Sequence, residues 1–290
     1  MKWLIFGGKG WIGSQICQLL KIQEETIIHA NCRADDEQEV KNELMKVYPD
    51  RVISLIGRTT GPGFSTIDYL EQKDKLVENI RDNLYAPLVL AMICTNMGLH
   101  LTYLGTGCIF DGYEGDSGSG YSEKSKPDFF GSSYSTVKGF TDRLMHMFEN
   151  NVLNLRIRMP ITNKKEQKNF ITKIMTYQKI CSIPNSMSVL PELLPIAIDM
   201  AKNKVTGTIN LTNPGLITHN EILEIVKEII DPNFKWQNFT IEEQDKILLA
   251  HRSNNLLNTD KLKLMYPQIA PIKDAIRKII MEIKLDMMQQ

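Results

Sequence analysis

Apolar positions along the chain alternate between short continuous runs and helix-spaced sets. Lys2 to Phe6 is a run of bulky side chains that stops at a glycine-rich turn, and apolar residues at helical spacing follow at Ile12, Ile16, Leu19 and Leu20. The exchange then repeats. Thr26 to Asn31 reads as a second strand, Glu37 to Val47 as a helix and Arg51 to Gly57 as a strand. A long helix follows over Asn79 to Gly98, through Ile80, Leu84, Leu88, Ala91 and Met92, with a strand over Leu99 to Gly105. Tyr134 to Phe148 reads as a helix, and Val152 to Arg158 as a strand with Val152, Asn154, Arg156 and Arg158 on one face. Strands that alternate with helices predict an α/β protein, with a parallel sheet joined by right-handed crossovers and flanked by helices. Ligands then bind beyond the carboxyl ends of the strands, where Gly57, Gly105 and Pro160 fall. Between Arg33 and Arg51 there is room for one helix and hardly for another strand, so the usual third strand is expected to be short or missing.

After Pro160 the pattern changes. A polar, lysine-rich loop (Thr162 to Lys168) precedes an amphipathic helix (Asn169 to Gln178) and a turn segment (Ser182 to Met187). A helix over Leu190 to Lys202 and a strand over Gly207 to Thr212 follow. Thr218-His219-Asn220-Glu221 reads as a capping box before a helix over Ile222 to Ile230, with His219 as a surface residue. The last helix, Ile272 to Met287, is apolar on one face and is expected to pack. The expected division is residues 1–160 as a cofactor domain, with about 188–212 returning to it, and 161–290 mainly as a smaller, discontinuous substrate-binding lobe.

Charge and composition narrow the class. The 290 residues hold 34 Lys plus Arg against 34 Asp plus Glu, so no global field attracts nucleic acid or an acidic membrane. Five scattered cysteines show neither metal-ligand spacing nor a disulfide framework, which points to a reducing compartment. No signal peptide is evident, and no apolar run reaches the roughly 18 residues of a membrane span. The expectation is a cytoplasmic protein without metal, nucleic acid or membrane partners; a homodimer is left open.

The turn after the first strand carries Gly7, Gly10 and Gly13 at G-x-x-G-x-x-G spacing, close to the fingerprint of a Rossmann-type dinucleotide fold. A diphosphate approaches backbone amides at a helix N-terminus only where Cβ is absent, so these glycines, with Trp11 and Ile12 between them, form the candidate cofactor turn. The second strand ends at Cys32-Arg33, where an NAD site usually places an acidic residue. Arg33 can pair with a 2′-phosphate, which favours NADPH; Asp35 and Asp36 lie near enough to leave NADH open, and Arg33 also fits a solvated surface charge.

Candidate chemistry lies between Thr106 and Lys138. Tyr134 and Lys138, four apart, project from one face of a helix. An ammonium beside a phenol favours the phenolate and brings its pKa towards the working range. Lys138 can also hydrogen-bond a nicotinamide ribose, and Thr106 can donate to a substrate carbonyl. Cys108, two residues from Thr106 in an extended segment, can share its side. Read alone, Cys108 also fits a small buried side chain and Lys173 a solvated helix face.

Through Gly7-x-x-Gly10-x-x-Gly13, Thr106 and Tyr134-x-x-x-Lys138, the chain resembles the extended short-chain dehydrogenase/reductase family over essentially its full length. Segments 105–110, 158–161, 169–173, 183–187 and 252–255 are similar to the bifunctional UDP-4-keto-6-deoxy-glucose 3,5-epimerase/4-reductases of UDP-rhamnose synthesis. The resemblance implies NADPH as hydride source and a UDP-sugar substrate, epimerised at carbons 3 and 5 and then reduced at carbon 4. It implies Tyr134 as general acid, Lys138 as its partner and Thr106 as a carbonyl donor. Cys108 and Lys173 become the acid–base groups of epimerisation, and Asn169 and Arg252 contacts to the substrate diphosphate. Simpler reductases of the family commonly carry Asp-Tyr at the Gly107-Cys108 positions, and the difference favours the bifunctional reading. Two alternatives stay open: a dTDP-4-dehydrorhamnose reductase-like enzyme with reductase activity only, and a non-catalytic NADP-binding regulatory subunit.

Overall fold

Trp3, Leu4, Ile5 and Phe6 are all buried, as a strand inside a parallel sheet requires when helices cover both of its faces. The computed structural model describes residues 1–115 and 118–289. Its first half runs β1 (Lys2–Phe6), α1 (Trp11–Ile22), β2 (Thr26–His29), α2 (Glu37–Val47), β3 (Arg51–Ser54), α3 (Leu76–Ile80), α4 (Ala86–Asn96), β4 (Leu101–Thr106), α5 (Ser133–Met145) and β5 (Val152–Ile157). There follow α6 (Phe170–Thr176), β6 (Lys179–Ile180), α7 (Leu190–Lys202), β7 (Gly207–Asn210), α8 (His219–Ile229), β8 (Gln237–Asn238), α9 (Ile241–Asp245), α10 (Asp260–Met265) and α11 (Ile272–Gln289).

Six strands form one sheet in the order β2-β1-β3-β4-β5-β7. β1 pairs in parallel with β2 and β3, and β3 with β4. Tyr48 ends α2 in the left-handed conformation (φ 46°), and the chain enters β3 at Arg51. No strand lies outside β2 among the described residues, so the third strand expected to be short or missing is missing. The order therefore reverses between β1 and β3, and their carboxyl ends form the topological switch where such sheets bind ligands.

The chain folds into two compact units: residues 1–109, 126–156 and 194–209, and residues 110–125, 157–193 and 210–290. In the first unit, Leu4, Phe6, Val52 and Leu101 of the sheet pack with Val40 and Leu44 of α2 and Val89 and Leu90 of α4. The single helix predicted over Asn79 to Gly98 is instead interrupted by a π-helical turn at Arg81–Tyr85. Pro87 explains it. Proline has no N–H to offer Asn83 four residues back, the Thr141 hydroxyl donates to that carbonyl instead (2.6 Å), and Ala86 N–H reaches back to Arg81. The second unit has an isoleucine-rich core, in which Ile171 and Ile174 of α6 meet Ile222 and Val226 of α8 and Ile276, Ile280 and Ile283 of α11. The predicted capping box is present at Thr218 and Glu221. No helix among the described residues is long and apolar enough to cross a membrane.

Behind β4 and β5 the first unit buries an ion pair. Arg156 of β5 donates through Nε to Asp142 Oδ1 (2.8 Å) and through Nη2 to Oδ2 (2.7 Å), and Asn154 Nδ2 also donates to Oδ1 (2.9 Å). Removing one member leaves an uncompensated buried charge. Asp142→Ala is expected to lower unfolding free energy by about 3–5 kcal/mol in urea denaturation. Asp142→Ala combined with Arg156→Met should recover a large part of the loss.

Candidate active site

The glycine turn is built at the topological switch. Gly7 has φ +78°, and a Cβ there would lie 3.0 Å from the Leu55 carbonyl that follows β3. Gly10 N–H donates to Gly7 O (3.0 Å), and a Cβ on Gly13 would sit 2.2 Å from that same oxygen. Gly10, the N-cap of α1, has no side chain to occupy the first amides of the helix, where Trp11 and Ile12 lie half-buried. A helix start left open in this way accepts an anion. The Arg33 guanidinium is exposed and paired with Asp35 (2.8 Å). His29, the last residue of β2, packs its ring against Gly8, where a Cβ would meet Nδ1 at 2.6 Å.

Thr106 is the last residue of β4, and its Oγ1 accepts the Cys108 N–H (3.1 Å). Tyr134 lies in the first turn of α5, which is held twice. Ser132 caps Ser135 N–H (3.0 Å), and Glu71 Oε1 accepts from both the N–H and the hydroxyl of Ser133 (2.8 Å each). Tyr134 and half-buried Cys108 pack together under Phe64, Ile67, Tyr69 and Leu70, so the phenol, the thiol and Thr106 share one largely apolar place.

Lys138 departs from the expected arrangement. Its ammonium is buried and donates to Tyr103 Oη of β4, and no hydrogen bond joins it to Tyr134. Burial pushes the Tyr134 phenol up from its ordinary value, a charge on Cys108 would push it further, and the Thr106 hydroxyl pulls the other way. This reverses the downward shift anticipated from a neighbouring ammonium. Burial pulls Lys138 down to about 8, against the opposing fields of Asp142 and Cys108.

In the second unit, Asn169 is fully buried as the N-cap of α6. Its amide donates to the Thr162 and Lys164 carbonyls (2.8 Å each) and accepts from Ile171 N–H (3.3 Å). Lys173, on the same helix, is half-buried, and burial together with Lys168 lowers its pKa. Arg252 donates to the Ala250 carbonyl (3.0 Å). His219 is not the surface residue expected from its place in the capping box: it meets Phe170 edge-on, with centroids 5.2 Å apart, and burial lowers it to about 4.

Sequence reasoning missed Tyr103, Glu71 and Asp142. Tyr103 is indistinguishable from a core residue of an apolar strand, and Glu71 comes from a distant loop. Only Asp142, four residues after Lys138, carried a usable spacing signal.

The profile of the RmlD substrate binding domain family matches residues 1–180. The chain belongs to the RmlD family. Protein L780 of Acanthamoeba polyphaga mimivirus is 59% identical over 98% of this chain and 99% of its own length. The crystal structure of the L780 UDP-rhamnose synthase matches this RmlD-family chain with a TM-score of 0.95 at 58% identity, covering 97% of this chain and 99% of that one. A bifunctional dTDP-4-dehydrorhamnose 3,5-epimerase/dTDP-4-dehydrorhamnose reductase of Arabidopsis thaliana is 44% identical over 96% of this chain and 92% of its own. The dTDP-4-dehydrorhamnose reductase of Bacillus anthracis, solved in complex with NADP, shares the fold with a TM-score of 0.78 at 17% identity, over 97% of this chain and 100% of that one.

His219 generates a pH dependence. Its folded pKa of about 4 lies below the ordinary 6.5, so its neutral form belongs to the native state. The stabilisation is complete above the unfolded value and is lost as pH falls towards the folded one. Between pH 7 and 4.5 this one residue should cost about 2 kcal/mol, seen as a falling urea midpoint that His219→Gln flattens.

Proposed function

We propose that the protein converts UDP-4-keto-6-deoxy-D-glucose to UDP-L-rhamnose, inverting carbons 3 and 5 and then reducing the 4-keto group with NADPH. The observation that carries this reading is Cys108 packed against Tyr134 beside Thr106, in a chain similar over its whole length to a UDP-rhamnose synthase and to a bifunctional epimerase/reductase. UDP as the nucleotide follows the mimiviral relative.

The chemistry needs one oxygen held well. Removing a proton from a carbon beside a ketone places charge on the carbonyl oxygen, and the hydroxyls of Tyr134 and Thr106 hydrogen-bond it there. Carbons 3 and 5 both flank carbon 4, so one pair of donors serves both inversions. Cys108 as thiolate takes the proton, and Lys173 is the acid that returns one; its lowered pKa makes it a readier donor. Bound NADPH supplies the hydride for the last step. As carbon 4 is reduced, Tyr134 gives its proton to the oxygen, and Lys138 offsets the phenolate that remains. The open glycine turn suits a dinucleotide diphosphate, with Arg33 for a 2′-phosphate and Lys138 for a ribose. Arg252 contacts the substrate diphosphate, and Asn169 serves indirectly by fixing the start of α6, on which Lys173 is carried.

Incubation with UDP-4-keto-6-deoxy-D-glucose and NADPH in heavy water should give UDP-L-rhamnose labelled at carbons 3 and 5. Cys108→Ala should slow deuterium uptake at both carbons by about 100-fold or more while an already epimerised ketone is still reduced. Unchanged uptake in the variant would remove the thiol from the mechanism. Uptake that requires an added epimerase would leave a reductase alone, and the absence of any NADPH oxidation would leave a regulatory subunit. For the cofactor, Arg33→Ala should weaken NADPH binding about tenfold, measured by fluorescence titration, with NADH affinity little changed.

A further inference from the structure

We infer that Tyr103 is a positioning residue for the reductive step, holding the Lys138 ammonium through a neutral phenol oxygen so that its charge stays available to Tyr134. The inference rests on the reduction proposed above and adds a residue to it.

The geometry is specific. Lys138 is 4% exposed and Tyr103 1%, and the lysine Nζ donates to the Tyr103 Oη while lying 4.6 Å from the centroid of the same ring. That phenol oxygen is the hydrogen-bond acceptor of Lys138 among the described residues. The charged and titratable groups around the ammonium are Tyr103 from β4, Cys108 just beyond that strand, Tyr134 and Asp142 from α5, and Arg156 from β5 behind Asp142. Asp142 lies one helical turn from Lys138, yet both its oxygens are engaged by Arg156 and one also by Asn154. It acts on the lysine through its field alone.

A buried ammonium without any acceptor would shed its proton, and one bonded to a carboxylate would have its charge largely cancelled. Neither would help when Tyr134 passes its proton to the substrate oxygen and becomes a buried phenolate. A neutral acceptor avoids both. Tyr103 stays neutral because burial and the fields of Tyr134 and Asp142 all oppose its ionisation. Its single bond to Nζ leaves two ammonium N–H groups for other partners.

The test is the pH dependence of NADPH oxidation with the already epimerised ketone, in the parent and in Tyr103→Phe. Phenylalanine keeps the ring beneath the ammonium and removes only the acceptor. Losing an acceptor favours the neutral amine, so the alkaline limb of kcat should move about one pH unit lower, with about a tenfold loss of kcat near the parent's midpoint. An alkaline limb at the same pH in both folded proteins would overturn the inference. If Tyr103→Phe fails to fold, fluorotyrosine at position 103 weakens the acceptor without changing its shape and should shift the limb in the same direction; no shift there overturns it too. The NADPH affinity of both proteins against pH reads the same limb without a sugar substrate. A parent that binds NADPH but does not reduce the ketone would therefore reject the proposed function, while the comparison of variants separately decides the role of Tyr103.

Discussion

A cation in a protein interior must be compensated, and in the first unit the buried cations Lys138 and Arg156 lie around one carboxylate, Asp142. The competition is decided by shape. A guanidinium fork matches both carboxylate oxygens at once and a lysine cannot, so the arginine takes the bidentate pairing and the lysine is left with the field. Much else follows from that allocation. Arg156 and Asn154 tie β5 to α5, and the lysine is turned to a tyrosine on β4. The helix that carries Tyr134 is thus joined to the sheet by polar contacts from both neighbouring strands as well as by apolar packing. The cap supplied by Glu71 fixes its first turn from the other end.

The glycine turn depends on a different constraint, the order of the sheet. Because no strand lies outside β2 among the described residues, the chain crosses from α2 directly to the other side of β1, and the backbone after β3 comes against the backbone after β1. Gly7 answers that approach as well as the positive φ. Gly13 answers a second one, of α1 against the turn itself. The spacing of glycines visible in the sequence is therefore a record of two close backbone approaches, and an open helix N-terminus results from both.

Elements whose side-chain period matched their surroundings were legible before the structure. The predicted bounds of α2 and α7 agree with those observed, and the parallel α/β plan follows from the alternation of runs. The sequence signal failed where a tertiary contact decides the local outcome. The π-turn before α4 needs both Pro87 and the hydroxyl of Thr141, more than fifty residues later. His219 has the sequence context of a surface cap and is half-buried because Phe170 from another helix covers it. At the site, the types and spacing of Thr106, Cys108, Tyr134 and Lys138 were readable, but the partner of the lysine was not. A tyrosine inside an apolar strand gives no sign of whether its hydroxyl meets water, backbone or an ammonium. Asn169 shows the converse, since its amide is consumed by the loop it holds.

The upward shift of Tyr134 is also informative about the direction of the chemistry. A dehydrogenase that oxidises an alcohol wants its tyrosine ionised, to accept a proton; a reductase wants it protonated, to give one. Burial supplies the second condition, and in the mechanism proposed above epimerisation demands the same state, because only a phenol that retains its proton can donate a hydrogen bond to the developing enolate oxygen. In the mechanism proposed above, the Cys108 thiolate raises the Tyr134 phenol further before the sugar proton is taken, so the phenol meets the ketone oxygen as a donor.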